Sequence, residues 1–152
     1  MTHRDVILDG AIALAAVNGA AGLLGLLRWY RYEMSRTFWY AVRVGQAAAI
    51  LYAVLTGVYY LANWRPSDKL FYLYALLPVA IGFVAEQLRV TSADTILEQQ
   101  ELPDAQAVGK LSADEQRAVV RAIVRREIGI MALSALVVVF LALRAAGTAH
   151  GF

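Results

Sequence analysis

Residues 37–63 read TFWYAVRVGQAAAILYAVLTGVYYLAN, and the way they sort around a helix decides the fold class. The stretch is long and apolar enough to cross a bilayer, which takes about 20 residues. Steps of three and four from Gly45 pick out Ala49, Tyr52, Thr56, Tyr59 and Asn63. Beside that stripe lie Arg43, Gln46, Ala53, Gly57 and Tyr60, while Val44, Ala47, Ala48, Leu51, Val54, Leu55, Val58 and Leu61 fill the rest. One face is greasy and the other is small, polar or hydroxylated. This is the signature of a membrane helix with lipid on one side and protein or a cavity on the other.

Working outward, three further apolar runs appear. Val6–Leu27 is interrupted only by Asp9 and Asn18. Its Ala13-Leu14-Ala15 has the small-x-small form of a cleavage site, but the run exceeds a typical signal core and the preceding MTHRD is barely basic. We therefore expect an uncleaved first span. Ala11, Ala15, Asn18, Gly22 and Gly25 share one face of it, where small residues allow close helix approach and Asn18 needs a partner on another helix. The run from Leu70 to Leu88 carries Pro78, which removes a backbone hydrogen bond and predicts a kink. Its helical pattern continues to about Glu101. After the loop PDAQAVGK, Ser112-Ala113-Asp114-Glu115 has the form of a capping box, and an unbroken helix follows. That helix is amphipathic at first, with Arg117, Arg121 and Arg125 opposing Val119, Val120, Ile123 and Val124, and becomes a fourth span from Ile128 to Leu143. The tail GTAHGF is expected to fray.

The expected fold is all-α: one integral membrane domain over 1–152, a four-helix transmembrane bundle in up-down-up-down order. Its spans lie at about 6–27, 38–63, 70–88 and 127–144, and the third and fourth extend into a cytoplasmic helical hairpin over about 89–126. Basic residues fix the orientation. Arg28, Arg31, Arg36, Arg43, Arg89, Lys110, Arg117, Arg121, Arg125 and Arg126 fall on one side, against Arg4, Arg65, Lys69 and Arg144 on the other. The positive-inside rule then puts both termini outside a bacterial-type plasma membrane. The alternation RWYRYEMSRTFWY over 28–40 reads as an interfacial belt rather than a nucleic-acid stacking surface. Acids at Asp94, Glu98 and Glu101 facing arginines of the ascending arm predict charge pairs across the hairpin.

The chain has no cysteine, which excludes disulfides, iron–sulfur clusters and cysteine zinc sites. Its histidines are only His3 and His150, so no haem or other cofactor and no metal is expected. No phosphate loop, H-E-x-x-H or G-x-S-x-G motif occurs. An intramembrane ionisable residue is the default place to look for function. In a hairpin of spans two and three, Arg43 and Glu86 fall at similar depth, with Gln46 nearby. They either pair as a ligand site opening to the cytoplasm, or Arg43 snorkels and Glu86 meets water or Arg89. Tyr52, Tyr59 and Asn18 are the further candidates for a ligand-binding face. Asp9 is expected at the water interface or paired with Arg65 or Lys69, and Arg121, Arg125 and Arg126 lie near enough to the bilayer to contact lipid headgroups. Together these features suggest a non-catalytic membrane protein, an accessory subunit or homo-oligomer acting through its membrane faces and cytoplasmic hairpin. The alternative is a lipid- or small-solute-binding or transport protein with a polar cavity beside the second span. The expected partners are membrane lipids and other membrane subunits or copies of the chain, and not nucleic acid.

Overall fold

The computed structural model describes residues 2–150. Six helices appear in order: α1 His3–Arg31, α2 Arg36–Leu61, α3 Leu70–Val90, α4 Ser92–Gln99, α5 Ala105–Val108 and α6 Ala113–His150. No strand occurs among the described residues. Four of the helices, α1, α2, α3 and α6, are long and apolar enough to cross a membrane.

Local chemistry sets most helix ends. Thr2 and Asp5 form a capping box at the start of α1, whose last carbonyls are closed by Tyr32 in the left-handed region (φ 57°). Ser35 accepts from the Phe38 N–H at 3.3 Å and opens α2. Asp68 accepts from the Leu70 N–H at 2.9 Å where α3 begins. The box expected at Ser112 forms: its hydroxyl accepts from the Glu115 N–H while the Glu115 carboxylate accepts from the Ser112 N–H at 2.8 Å.

Helices α1 and α6 make the most extensive contact, α3 lies against α6, and α2 lies against α1. The small-residue face of α1 is the face that becomes buried: Ala11, Ala15, Asn18, Gly22 and Gly25 are all inside. A methyl group on Gly25 would lie 2.6 Å from Ala132 Cβ and 2.5 Å from the Phe38 ring, so at this point three helices meet with no room for a side chain. The apolar core falls into two clusters. One gathers Ile7, Leu14, Tyr52, Phe71 and Ala142, the other Phe38, Val42, Ile128, Met131 and Ala135. Contacts between α2 and α3 are sparse and run from Arg43–Glu86 to the ring pair Tyr60–Tyr72.

Four expectations need correction. The helix after Pro78 does not run unbroken to Glu101 but stops at Val90, and α4 starts afresh at Ser92. There the Thr91 hydroxyl donates to the carbonyls of Gln87 and Leu88, and the Ser92 hydroxyl to Leu88, a local side-chain competition that interrupts the helical ladder. The second span ends at Leu61 rather than Asn63, which takes a left-handed conformation (φ 61°). The tail does not fray as far as it is described: α6 continues to His150 because Thr148 and Ala149 are buried, while Gly151 and Phe152 lie outside the described residues. No ion pair joins α4 to α6 among the described residues. Their contact goes with the buried Ser92, Ile96 and Val119, and the charges stay solvated, as expected where an exposed pair stabilises by only about 0.2–1 kcal/mol.

Candidate functional site

The polar residues of α2 and α3 meet at Glu86. One carboxylate oxygen accepts from Arg43 at 2.6 Å and from the Gln46 amide at 2.8 Å, and the other accepts from Arg89 Nε at 2.9 Å. Arg43 also donates to Gln46 Oε1 at 2.7 Å. The positions follow from helical spacing: Arg43 and Gln46 are one turn apart on α2, as are Glu86 and Arg89 on α3. Glu86 therefore pairs with Arg43 and with Arg89 at once. The Arg43 side chain is 54 % exposed and that of Glu86 23 %, so the network sits at the edge of the bundle rather than inside it.

Beside the network, Gln46, Ala49, Ile50, Pro78, Val79, Gly82, Phe83 and Glu86 line an open crevice of about 270 Å³ between α2 and α3. Deeper in, Asn18, Gly45, Gln46, Gly82 and Ser134 border a void of about 20 Å³, room for about one water molecule. Asn18 has its interhelical partner, donating to the Gly45 carbonyl at 3.4 Å as well as to Leu14 of its own helix at 3.0 Å. A Cβ on Gly45 would stand 2.7 Å from Asn18 Oδ1, so the glycine is what admits this contact.

The remaining candidates stand apart. Tyr52 is buried with its ring against Gly10, and its hydroxyl has no hydrogen-bond partner among the described residues. Tyr59 sits at the far end of α2, its ring 4.9 Å from that of His3 and 6.5 Å from that of Trp64. Asp9 is exposed and makes no ion pair with Arg65 or Lys69; Arg65 instead caps the end of α2, donating to the carbonyls of Tyr60 and Trp64, both at 2.9 Å. Arg43, Gln46 and Glu86 thus form one constellation, Asn18 touches only its inner edge, and Tyr52 and Tyr59 belong to the packing of the opposite half.

A second constellation was only partly foreseen. Arg28, Trp29, Tyr32 and Met34 from the end of α1 and its loop face Gln116, Arg117, Val120, Arg121, Val124, Arg125 and Ile128 of α6 across a groove of about 550 Å³. Arg125 Cζ lies 4.5 Å from the centroid of Trp29 and 4.3 Å from that of Tyr32, a cation held over two rings. Gly129 makes room for the indole: a Cβ there would be 3.1 Å from Trp29 Nε1. Arg121 and Arg125 of the expected headgroup contacts line this groove, whereas Arg126 does not. The sequence signal was the alternation of arginine and aromatics over 28–40, but nothing in it told which stretch of α6 would face it. Among the described residues no group of three or more acidic or histidine side chains is placed to hold a metal ion. No protein-family model, no curated protein and no solved structure matches the chain.

Proposed function

We propose that this chain is a non-catalytic integral membrane protein, an accessory subunit or homo-oligomer that works through its membrane-facing helix surfaces and a cytoplasmic helical hairpin. The observation that carries this reading is the closure of the Glu86 network. Its carboxylate already accepts from Arg43, Gln46 and Arg89, so its charge is paired and most of its acceptor capacity is used within the protein. Such a group fixes the register of two helices whose other contacts are sparse. An up-down-up-down order is supported by contacts whose partners run in opposite directions: Gly10 with Tyr52 and Gly25 with Phe38 for α1 and α2, Arg43 with Glu86 and Tyr60 with Tyr72 for α2 and α3, and Gly19 with Val139 and Gly25 with Ala132 for α1 and α6. With the excess of basic residues inside, both termini fall outside a bacterial-type plasma membrane, and α4, α5 and the first turns of α6 form the cytoplasmic hairpin. Large exposed side chains such as Leu51, Val54, Phe83 and Val84 of α2 and α3 supply the apolar face against which lipid or another subunit packs.

A second reading, binding or transport of a lipid or small solute, is favoured by the open crevice between α2 and α3 with Glu86 at its end. Native mass spectrometry of the full chain, released from its own membranes in mild detergent, separates the two. The accessory reading expects a fixed homo-oligomer or a complex with other polypeptides that survives Glu86→Gln. A solute of defined mass that is retained by the native chain and lost on Arg43→Gln or Glu86→Gln would overturn it in favour of the crevice.

A further inference from the structure

We propose that the groove between the end of α1 and the first half of α6 is a binding site for the phosphate head of an anionic phospholipid. The site is separate from the Glu86 network and the proposal does not depend on the accessory reading.

Charge comes first. Four arginines line the groove. Arg28 is paired with Glu33 and Arg117 with Asp114, whereas Arg121 and Arg125 have no carboxylate partner among the described residues. The groove therefore keeps two uncompensated guanidinium groups, the donors best matched to a phosphodiester. The Nε atoms of Arg28 and Arg125 are buried without a hydrogen-bond partner among the described residues, so the protein gives these guanidinium groups less hydrogen bonding than they can make.

Position comes second. The apolar run of α1 ends at Leu27, one residue before Arg28, and that of α6 begins at Ile128, three residues after Arg125. The groove thus straddles the level where hydrocarbon gives way to headgroups. Its walls match that level: Ile128 and the Trp29 ring lie toward the apolar spans, and Met34, Val120 and Val124 interleave with the arginines, so a ligand with a charged head and a hydrocarbon tail meets both chemistries. A free phosphate would use only the first, and a soluble acidic partner would leave the second uncovered.

Preorganisation comes third. Holding Arg125 over Trp29 and Tyr32 removes rotamer freedom before any ligand arrives, which lowers the entropic cost of binding. Arg121 is exposed and supplies the second guanidinium group for the head.

The test uses the full chain in mild detergent, exposed to equal amounts of phosphatidylglycerol and phosphatidylcholine and followed by native mass spectrometry and thermal unfolding. We expect preferential retention of phosphatidylglycerol, weakened about fivefold by Arg121→Gln and unchanged by Lys110→Gln, which lies outside the groove. Because Arg121 is exposed and makes no hydrogen bond or ion pair among the described residues, its replacement should leave the melting temperature in lipid-free detergent unchanged. A second variant, Val120→Asn, keeps every arginine and the net charge but makes an exposed part of the apolar wall polar, and should also reduce retention. Equal retention of the two lipids by the native chain, or full retention by Arg121→Gln, overturns the proposal. So does inorganic phosphate that displaces phosphatidylglycerol and raises the melting temperature as much, which would assign the groove to a free anion. A co-purifying polypeptide lost on Arg121→Gln while lipid retention stays intact would assign it to a protein and overturn the proposal as well.

Discussion

Gly25→Ala, measured against Gly57→Ala, tests the packing on which both constellations rest. Both glycines lie inside long helices, so each substitution gains the same intrinsic helix preference, about 0.8–1 kcal/mol in water. What differs is the space. Around Gly57 a new Cβ meets nothing within 4 Å, whereas at Gly25 it meets Ala132 Cβ at 2.6 Å and Phe38 at 2.5 Å. Carbon atoms prefer about 3.5–4.0 Å, so α1 must retreat from α6 or α2 by about 1 Å. Ala132 offers no rotamer that relieves the clash, and Phe38 is fully buried in the lower cluster. Overpacking of this kind costs about 1–3 kcal/mol, and subtracting the Gly57 variant cancels the helix-preference term. We expect Gly25→Ala to be less stable than Gly57→Ala by about 1–3 kcal/mol, read from denaturant-induced loss of helical circular dichroism in detergent micelles. Equal stability of the two variants would refute the close approach of α1 to α6, and with it the geometry of the groove at their ends.

Three further outcomes follow from particular side chains. Glu86→Gln removes the charge that Arg43 and Arg89 share; because Arg43 is half-exposed the loss should be small, about 1 kcal/mol, and a loss several times larger would mean the network is shielded from water. Tyr52→Phe deletes a buried hydroxyl that has no partner, so thermal unfolding should find the variant as stable as the native chain or more so; a destabilisation above about 1 kcal/mol would reveal a hydrogen bond to that hydroxyl. Ser112→Ala breaks the capping box at the start of α6 and should cost about 0.5–2 kcal/mol, with faster amide hydrogen exchange confined to the first turn of that helix; unchanged exchange there would count against the box.

The helices, the buried face of α1, the partner sought by Asn18 and the capping box were legible because each rests on spacing within one or two segments, whereas spacing placed Arg43 and Glu86 at similar depth without deciding that they pair. What escaped the sequence rests on tertiary context or on competing local bonds. Nothing at Arg89-Val90-Thr91-Ser92 resembles a helix breaker, yet the hydroxyls of Thr91 and Ser92 turn back onto the preceding carbonyls and the helix restarts. Gly147-Thr148-Ala149 looks like a frayed end until Thr148 and Ala149 are found buried. The charge pairs expected across the hairpin presumed an electrostatic contact, where α4 and α6 instead bury Ile96 and Val119. The groove needed residues 28–34 and 113–128 in one place, a juxtaposition that no periodicity encodes.

The two constellations differ in a way that bears on where binding specificity should reside. Depth in the membrane makes a polar residue conspicuous, and it drew attention to Arg43, Gln46 and Glu86. Yet charge near a bilayer is costly unless compensated, and there the compensation is partly internal: one carboxylate serves two arginines and an amide, leaving one positive charge in excess on the half-exposed side. A ligand entering that network would have to displace bonds already made. At the end of α1 the position is reversed. Arg121 and Arg125 have no carboxylate partner among the described residues, and the Nε atoms of Arg28 and Arg125 are buried without a hydrogen bond. If the groove takes a headgroup as proposed, an external anion gains most there because the protein has supplied least compensation of its own.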